Sequence, residues 1–84
     1  MYKIEIYVKL KKDVLDPQGK AIKNASFNLG FKDIVQVNQG KYFEVIVKNT
    51  SNSNSAKIKA KKLAGDLLVN DIIEDYKIIK IVKI

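Results

Sequence analysis

Tyr2-Lys3-Ile4-Glu5-Ile6-Tyr7-Val8-Lys9-Leu10 alternates without a break: even positions are apolar and odd positions are mostly charged. Successive side chains on a strand point to opposite faces. This period of two therefore predicts a half-buried strand with Tyr2, Ile4, Ile6, Val8 and Leu10 inward. A loop over residues 11–15 follows. Leu15-Asp16-Pro17-Gln18-Gly19 then reads as a helix start. Asp16 can accept from the free N–H groups of the first turn, and Pro17 suits the first helical position because it has no N–H to lose. A helix is predicted over residues 17–29, with Ala21, Ile22, Ala25 and Leu29 on one face and Gly30 as its terminator.

The remaining pattern completes a β-α-β-β-α-β order. Residues 34–39 read as a second strand, with Val35 and Val37 on one face. Asn38-Gln39-Gly40-Lys41 reads as a tight turn. Residues 41–48 read as a third strand, with Phe43, Val45 and Val47 on one face and Tyr42, Glu44 and Ile46 on the other. These two strands are expected to form an antiparallel hairpin. Residues 49–55 are a polar Ser/Asn linker offering several competing helix caps. A second helix is predicted over 53–69, with Ala56, Ala60, Leu63, Ala64 and Leu67 as its apolar stripe. A last strand runs from Ile72 or Ile73 onward. The expected fold is α+β: one ferredoxin-like domain over residues 1–84, with a four-stranded antiparallel sheet and both helices on one face.

The last strand breaks the alternation. Tyr76 and Ile78 share one parity, Ile79 and Ile81 the other, and Val82 and Ile84 return to the first. Either a bulge switches the phase near Ile78-Ile79, or the strand is covered on both faces. A chain with both helices on one face cannot cover the other, whereas a second subunit can. Ile78, Ile79, Ile81 and Val82 are therefore the expected self-association residues, giving a dimer or tetramer. Tyr7, Tyr42 and Ile46 add apolar groups to the outer face.

Composition excludes several function classes. The 84 residues contain neither Cys nor His, so disulfides and the usual zinc sites are ruled out, as are Cys- or His-based nucleophilic centres. The longest apolar run is three residues. A membrane-spanning helix needs about 20 and a signal-peptide core about 7–15. A cytoplasmic location is the expectation. Net charge is +7, and every basic residue is Lys. Base and phosphate readers usually lean on Arg, so the charge weighs against dedicated nucleic-acid recognition. Lys57, Lys59, Lys61 and Lys62 wrap more than one helix face and read as a solvated surface.

The chemistry-bearing residues are sparse. Glu74 and Asp75 are strand neighbours and point to opposite faces, so they do not converge as an acid–base pair. Asp13 and Asp16 are explained by turn and cap positions. Ser51, Ser53 and Ser55 lie near Lys57, but helix capping accounts for them. The glycines are isolated, so no phosphate loop is present. No catalytic residue, cofactor site or metal site is expected. One alternative function is a small basic nucleic-acid-binding module, because RNA-recognition motifs share this strand order. Their third strand stacks two aromatics on bases. Here that face offers Tyr42 and then Glu44, whose carboxylate repels phosphate.

Six strings in order resemble the PurS family, small subunits of formylglycinamidine ribonucleotide synthase. They are the Tyr-Lys-Ile start, Asp16-Pro17-Gln18-Gly19, Leu29-Gly30-Phe31, Gly40-Lys41-Tyr42-Phe43-Glu44, Lys62-Leu63-Ala64 and Ile73-Glu74-Asp75-Tyr76. The chain departs from the family at Asn38, where an Arg is usual, at Ser26, usually apolar, and at Asp71, usually Pro. The resemblance implies a non-catalytic subunit in purine synthesis. It would bridge a PurQ-like glutaminase and a PurL-like synthetase and assist ammonia transfer. It also implies that ATP and Mg are used by the synthetase partner. Gln18, Lys41, Tyr42 and Tyr76 are then the expected partner contacts.

Overall fold

The computed structural model describes residues 1–84. β1 (Tyr2–Leu10) is the central strand of a three-stranded antiparallel sheet, flanked by β2 (Gly40–Val47) and β3 (Glu74–Lys83). The alternation of β1 has the expected consequence. Ile4, Ile6 and Val8 are fully buried beneath α2 (Ser53–Leu63), packed with Ala56 and Ala60. Ile4 pairs with Val45 and Ile81, and Ile6 pairs with Phe43 and Ile78. At these two levels the inward face is therefore apolar across all three strands.

The phase break in the last strand is a β-bulge. Glu5 faces Lys80 and Ile6 faces Ile78, so Ile79 is the extra residue. The bulge returns both Ile78 and Ile81 to the inward face, where they pack against the core. Of the four residues expected to mediate self-association, these two serve the chain's own core. Ile79 remains 54% exposed at the bulge, and Val82 lies opposite Lys3 on the outer face.

α2 is capped by Asn52, whose Oδ1 accepts the Ser55 N–H at 2.8 Å. Its alanine stripe lets the helix approach the sheet closely, and a π-helical turn follows over Ala64–Leu68. The Val69 N–H reaches back to the Ala64 carbonyl at 2.9 Å, closing the wide turn. Regular helical spacing puts Leu67 on the apolar stripe. The wide turn shifts that phase, so Leu67 is 74% exposed while Leu68 and Val69 pack on the core.

Two expectations about the sheet are corrected. The four-stranded sheet is replaced by three strands, because residues 34–39 join no ladder. The hairpin expected between that segment and β2 does not form. The Gln39 N–H goes to the Asp16 carboxylate, so the segment is tied to a helix start instead of a strand. The second correction concerns the helices: only α2 covers the sheet. α1 (Pro17–Asn28) projects away and makes no broad contact with any strand or with α2. The molecule measures 51 × 27 × 13 Å, with a radius of gyration of 16.4 Å. A compact chain of this length has a radius of about 12 Å. α1 and residues 29–35 thus form an arm that leaves Ile22, Phe27, Leu29 and Phe31 exposed.

The arm's helix is nonetheless well formed. Gly30 adopts φ 100°, a left-handed conformation that suits glycine. The Gly30 N–H donates to the Phe27 carbonyl, and the Phe31 N–H donates to the Ser26 carbonyl at 2.9 Å. These paired bonds close the helix end and satisfy carbonyls that would otherwise lack partners. No helix is long and apolar enough to cross a membrane.

Candidate functional site at the base of the arm

Five chain segments meet where the arm leaves the sheet: the end of β1, the first turn of α1, residues 36–39, and the starts of β2 and β3. Asp16 organises the junction. Its Oδ1 accepts the Gly19 N–H and its Oδ2 accepts the Gln39 N–H, both at 2.9 Å. The Gln39 bond, then the Gly19 bond, hold this carboxyl below the usual carboxylate range. Gly19 is buried, and a Cβ added there would lie 2.1 Å from the Val37 carbonyl oxygen. The bare backbone of Gly19 therefore serves a close approach within the chain itself.

Glu74 forms the second half of the junction. It opens β3 opposite Leu10 and keeps only 9% of its surface exposed. Its Oε1 accepts the Asn70 N–H at 2.9 Å, and its Oε2 lies 3.3 Å from Lys41 Nζ. The Asn70 bond is the main cause that lowers its pKa; burial opposes the shift, and Lys41 assists it. Asp75 is exposed, so the two neighbouring carboxylates do diverge.

The four expected partner-contact residues are not brought to one place. Gln18 and Lys41 line a common cleft of about 240 Å³ together with Asp16 and Glu74. Tyr42 lies on the opposite face of the sheet, paired with Tyr7 across β1. Its hydroxyl donates to Glu5, and this bond pushes the phenol up to about 12. Tyr76 is half-buried opposite Val8 and packs against the core. Glu44 stands opposite Glu5 beside Tyr42, so the outer face carries a carboxylate pair next to its aromatic group.

From the sequence alone, Asp16 reads as a helix cap and Gly19 as a glycine tolerated in the first turn of a helix. The capping signal was legible because it spans three residues. The bond to Gln39 spans twenty-three positions and leaves no local signature.

A three-stranded sheet, one covering helix and a projecting arm define a small α+β module, with two clefts at the base of the arm in place of a deep enclosed pocket. The chain belongs to the PurS family: the family's profile, phosphoribosylformylglycinamidine (FGAM) synthase, matches residues 3–81. It is 36% identical over 77 residues to the PurS subunit of phosphoribosylformylglycinamidine synthase from Bacillus subtilis, covering 92% of this chain and 89% of the relative. Crystalline PurS from Methanocaldococcus jannaschii superposes with a TM-score of 0.88 at 37% identity, covering 100% of this chain and 99% of that one. A chain in the PurLQS structure from Thermotoga maritima shares the fold, with a TM-score of 0.78 at 24% identity, covering 99% and 96%. The family's members are subunits of an enzyme complex of purine biosynthesis.

Proposed function

We propose that this chain is the non-catalytic subunit that joins a PurQ-like glutaminase to a PurL-like synthetase and assists passage of ammonia between them. ATP and Mg would then be handled by the synthetase partner. The observation that carries this reading is the arm. A chain with only eight buried residues leaves Phe27 55% and Leu29 77% exposed on a projecting, well-capped helix. Contiguous exposed apolar surface marks interaction sites in proteins of this size. A chain without Cys or His also offers little for glutamine hydrolysis.

Self-association belongs to the same reading. The sheet has one uncovered face and two open edges, and the arm carries the apolar side chains to cover part of a second copy. Ile79 at the bulge and Val82 on the outer face are the last-strand residues free to contribute. A dimer or tetramer would present arms and clefts in symmetric pairs.

Reconstitution tests the proposal. The chain is mixed with PurL and PurQ homologues, and amidine formation from formylglycinamide ribonucleotide is followed with glutamine or with ammonia. Glutamine-dependent turnover should require the chain, while the chain alone should turn over nothing. Amidine formation by the pure chain refutes the non-catalytic assignment. Full glutamine-dependent turnover in its absence refutes the bridging role.

A further inference from the structure

A larger cleft, of about 600 Å³, lies on the other side of Asp16, between the end of β1, the loop after it, α1 and residues 36–39. Lys9, Lys11, Lys12, Lys20 and Lys23 all line it. Three lie within residues 9–12 and two on α1, and none of them forms an ion pair; the chain's ion pairs are Lys41–Glu74 and Lys62–Asp66. Two carboxylates share the lining, Asp16 and Asp75. Both oxygens of Asp16 already accept backbone N–H groups, from Gly19 and Gln39. Five lysines thus line one concavity alongside a single uncommitted carboxylate, Asp75.

Like charges gathered this closely repel, and a multivalent anion relieves that repulsion. Clefts walled by protein also focus the field of their lining charges. Lys ammonium groups suit phosphate as compact point charges. The volume falls within the range of about 300–1,000 Å³ typical of small-molecule sites. A nucleic-acid strand would need a continuous basic track, whereas these lysines line one hollow. Tyr7, Gln36 and Asn38 complete the lining with an aromatic ring and two side-chain amides. These groups can stack on and hydrogen-bond a heterocycle.

We infer that this cleft binds a nucleoside di- or triphosphate, with the phosphate chain among the five lysines and the base toward Tyr7, Gln36 and Asn38. The inference goes beyond the bridging role and does not depend on it. The full-length chain alone suffices for the test.

The probes are ATP, ADP, AMP and inorganic tripolyphosphate, titrated near physiological ionic strength by calorimetry and by amide chemical shifts. ATP and ADP should bind at least tenfold more tightly than AMP, with shifts centred on residues 9–12, 20–23 and 36–39. Tripolyphosphate should bind more weakly than ATP; equal affinity would overturn the placement of the base. Lys20→Glu/Lys23→Glu should reduce ATP affinity at least tenfold without changing the circular dichroism spectrum. Lys57→Glu/Lys61→Glu makes the same charge change on α2 and should leave affinity within twofold. The proposal is overturned if ATP does not bind, if the α2 variant loses as much affinity as the α1 variant, or if single-stranded RNA shifts the same amides with higher affinity than ATP.

Discussion

Asp16 Oδ2 accepts the backbone N–H of Gln39 at 2.9 Å, joining the first turn of α1 to the residue that precedes β2. The other oxygen of the same carboxylate caps the helix at Gly19. One side chain therefore fixes both where the arm begins and how it is tethered to the sheet. Asp16→Ala should lower the melting temperature by several degrees and increase protection loss at residues 36–39 in hydrogen exchange. Asp16→Asn, which retains an acceptor, should lose less. Equal behaviour of both variants and the parent would disprove the tether.

The pH dependence follows from the same junction. The Asp16 and Glu74 carboxyls are both held below the ordinary carboxylate range by backbone N–H donors. Groups with depressed folded-state pKa values contribute stability that is fully present above their unfolded values and lost as pH falls through the folded ones. Stability should therefore decline from about pH 5 downward. The decline should be shallower in Glu74→Gln, which starts from a lower plateau. Chemical denaturation at a series of pH values measures both features, and an unchanged acid slope in Glu74→Gln contradicts the assignment.

Gly19→Ala should be costly for its place in the first turn of a helix, where Ala is ordinarily the better residue. Its Cβ would meet the Val37 carbonyl oxygen at 2.1 Å, and that atom is backbone. Either residues 36–39 move or the helix start shifts. Overpacking of this kind costs about 1–3 kcal/mol. A variant as stable as the parent, with unchanged amide shifts at residues 36–39, would show that the close approach is not maintained in solution.

Gln18 and Lys41 line one cleft, so Gln18→Ala and Lys41→Ala should each weaken assembly with PurL and PurQ homologues while the fold persists. Lys41 is largely exposed, and its pairing with Glu74 is worth at most about 1 kcal/mol at such a site. Pull-down affinity and glutamine-dependent turnover are the readouts. Normal turnover in both variants removes these residues from the contact.

Self-association is tested most cleanly on the arm and at the bulge. Leu29→Lys and Ile79→Lys alter exposed side chains, so both monomers should fold. Each should lower the mass seen by light scattering and abolish any rise in melting temperature with concentration. Ile81→Lys would instead disrupt the chain's own core, because Ile81 packs beside Ile4. A parent chain that stays monomeric at tens of micromolar, with a concentration-independent melt, contradicts the oligomer.

The local features of this protein are legible in its sequence. The alternation of residues 2–10 identifies β1 and its buried face because side-chain direction on a strand depends only on position parity. Asp16-Pro17 marks the start of α1, and Gly30 its end, because capping acts within a turn. The parity break at Ile78-Ile79 is visible as well, as one of two possible causes, and register with β1 makes it a bulge. Tertiary structure alone decided the rest. Residues 34–39 carry a strand-like pattern, but a strand exists only where another supplies hydrogen bonds, and here the Gln39 N–H is taken by Asp16. The amphipathic pattern of α1 specifies an apolar face without specifying what covers it, so the sequence could not show that the helix projects as an arm. Leu67 left its stripe because the π-helical turn after Leu63 depends on how α2 ends over the sheet. Pairing partners, and the approach of Gly19 to Val37, are set by contacts between distant residues, and periodicity along the chain carries no record of them.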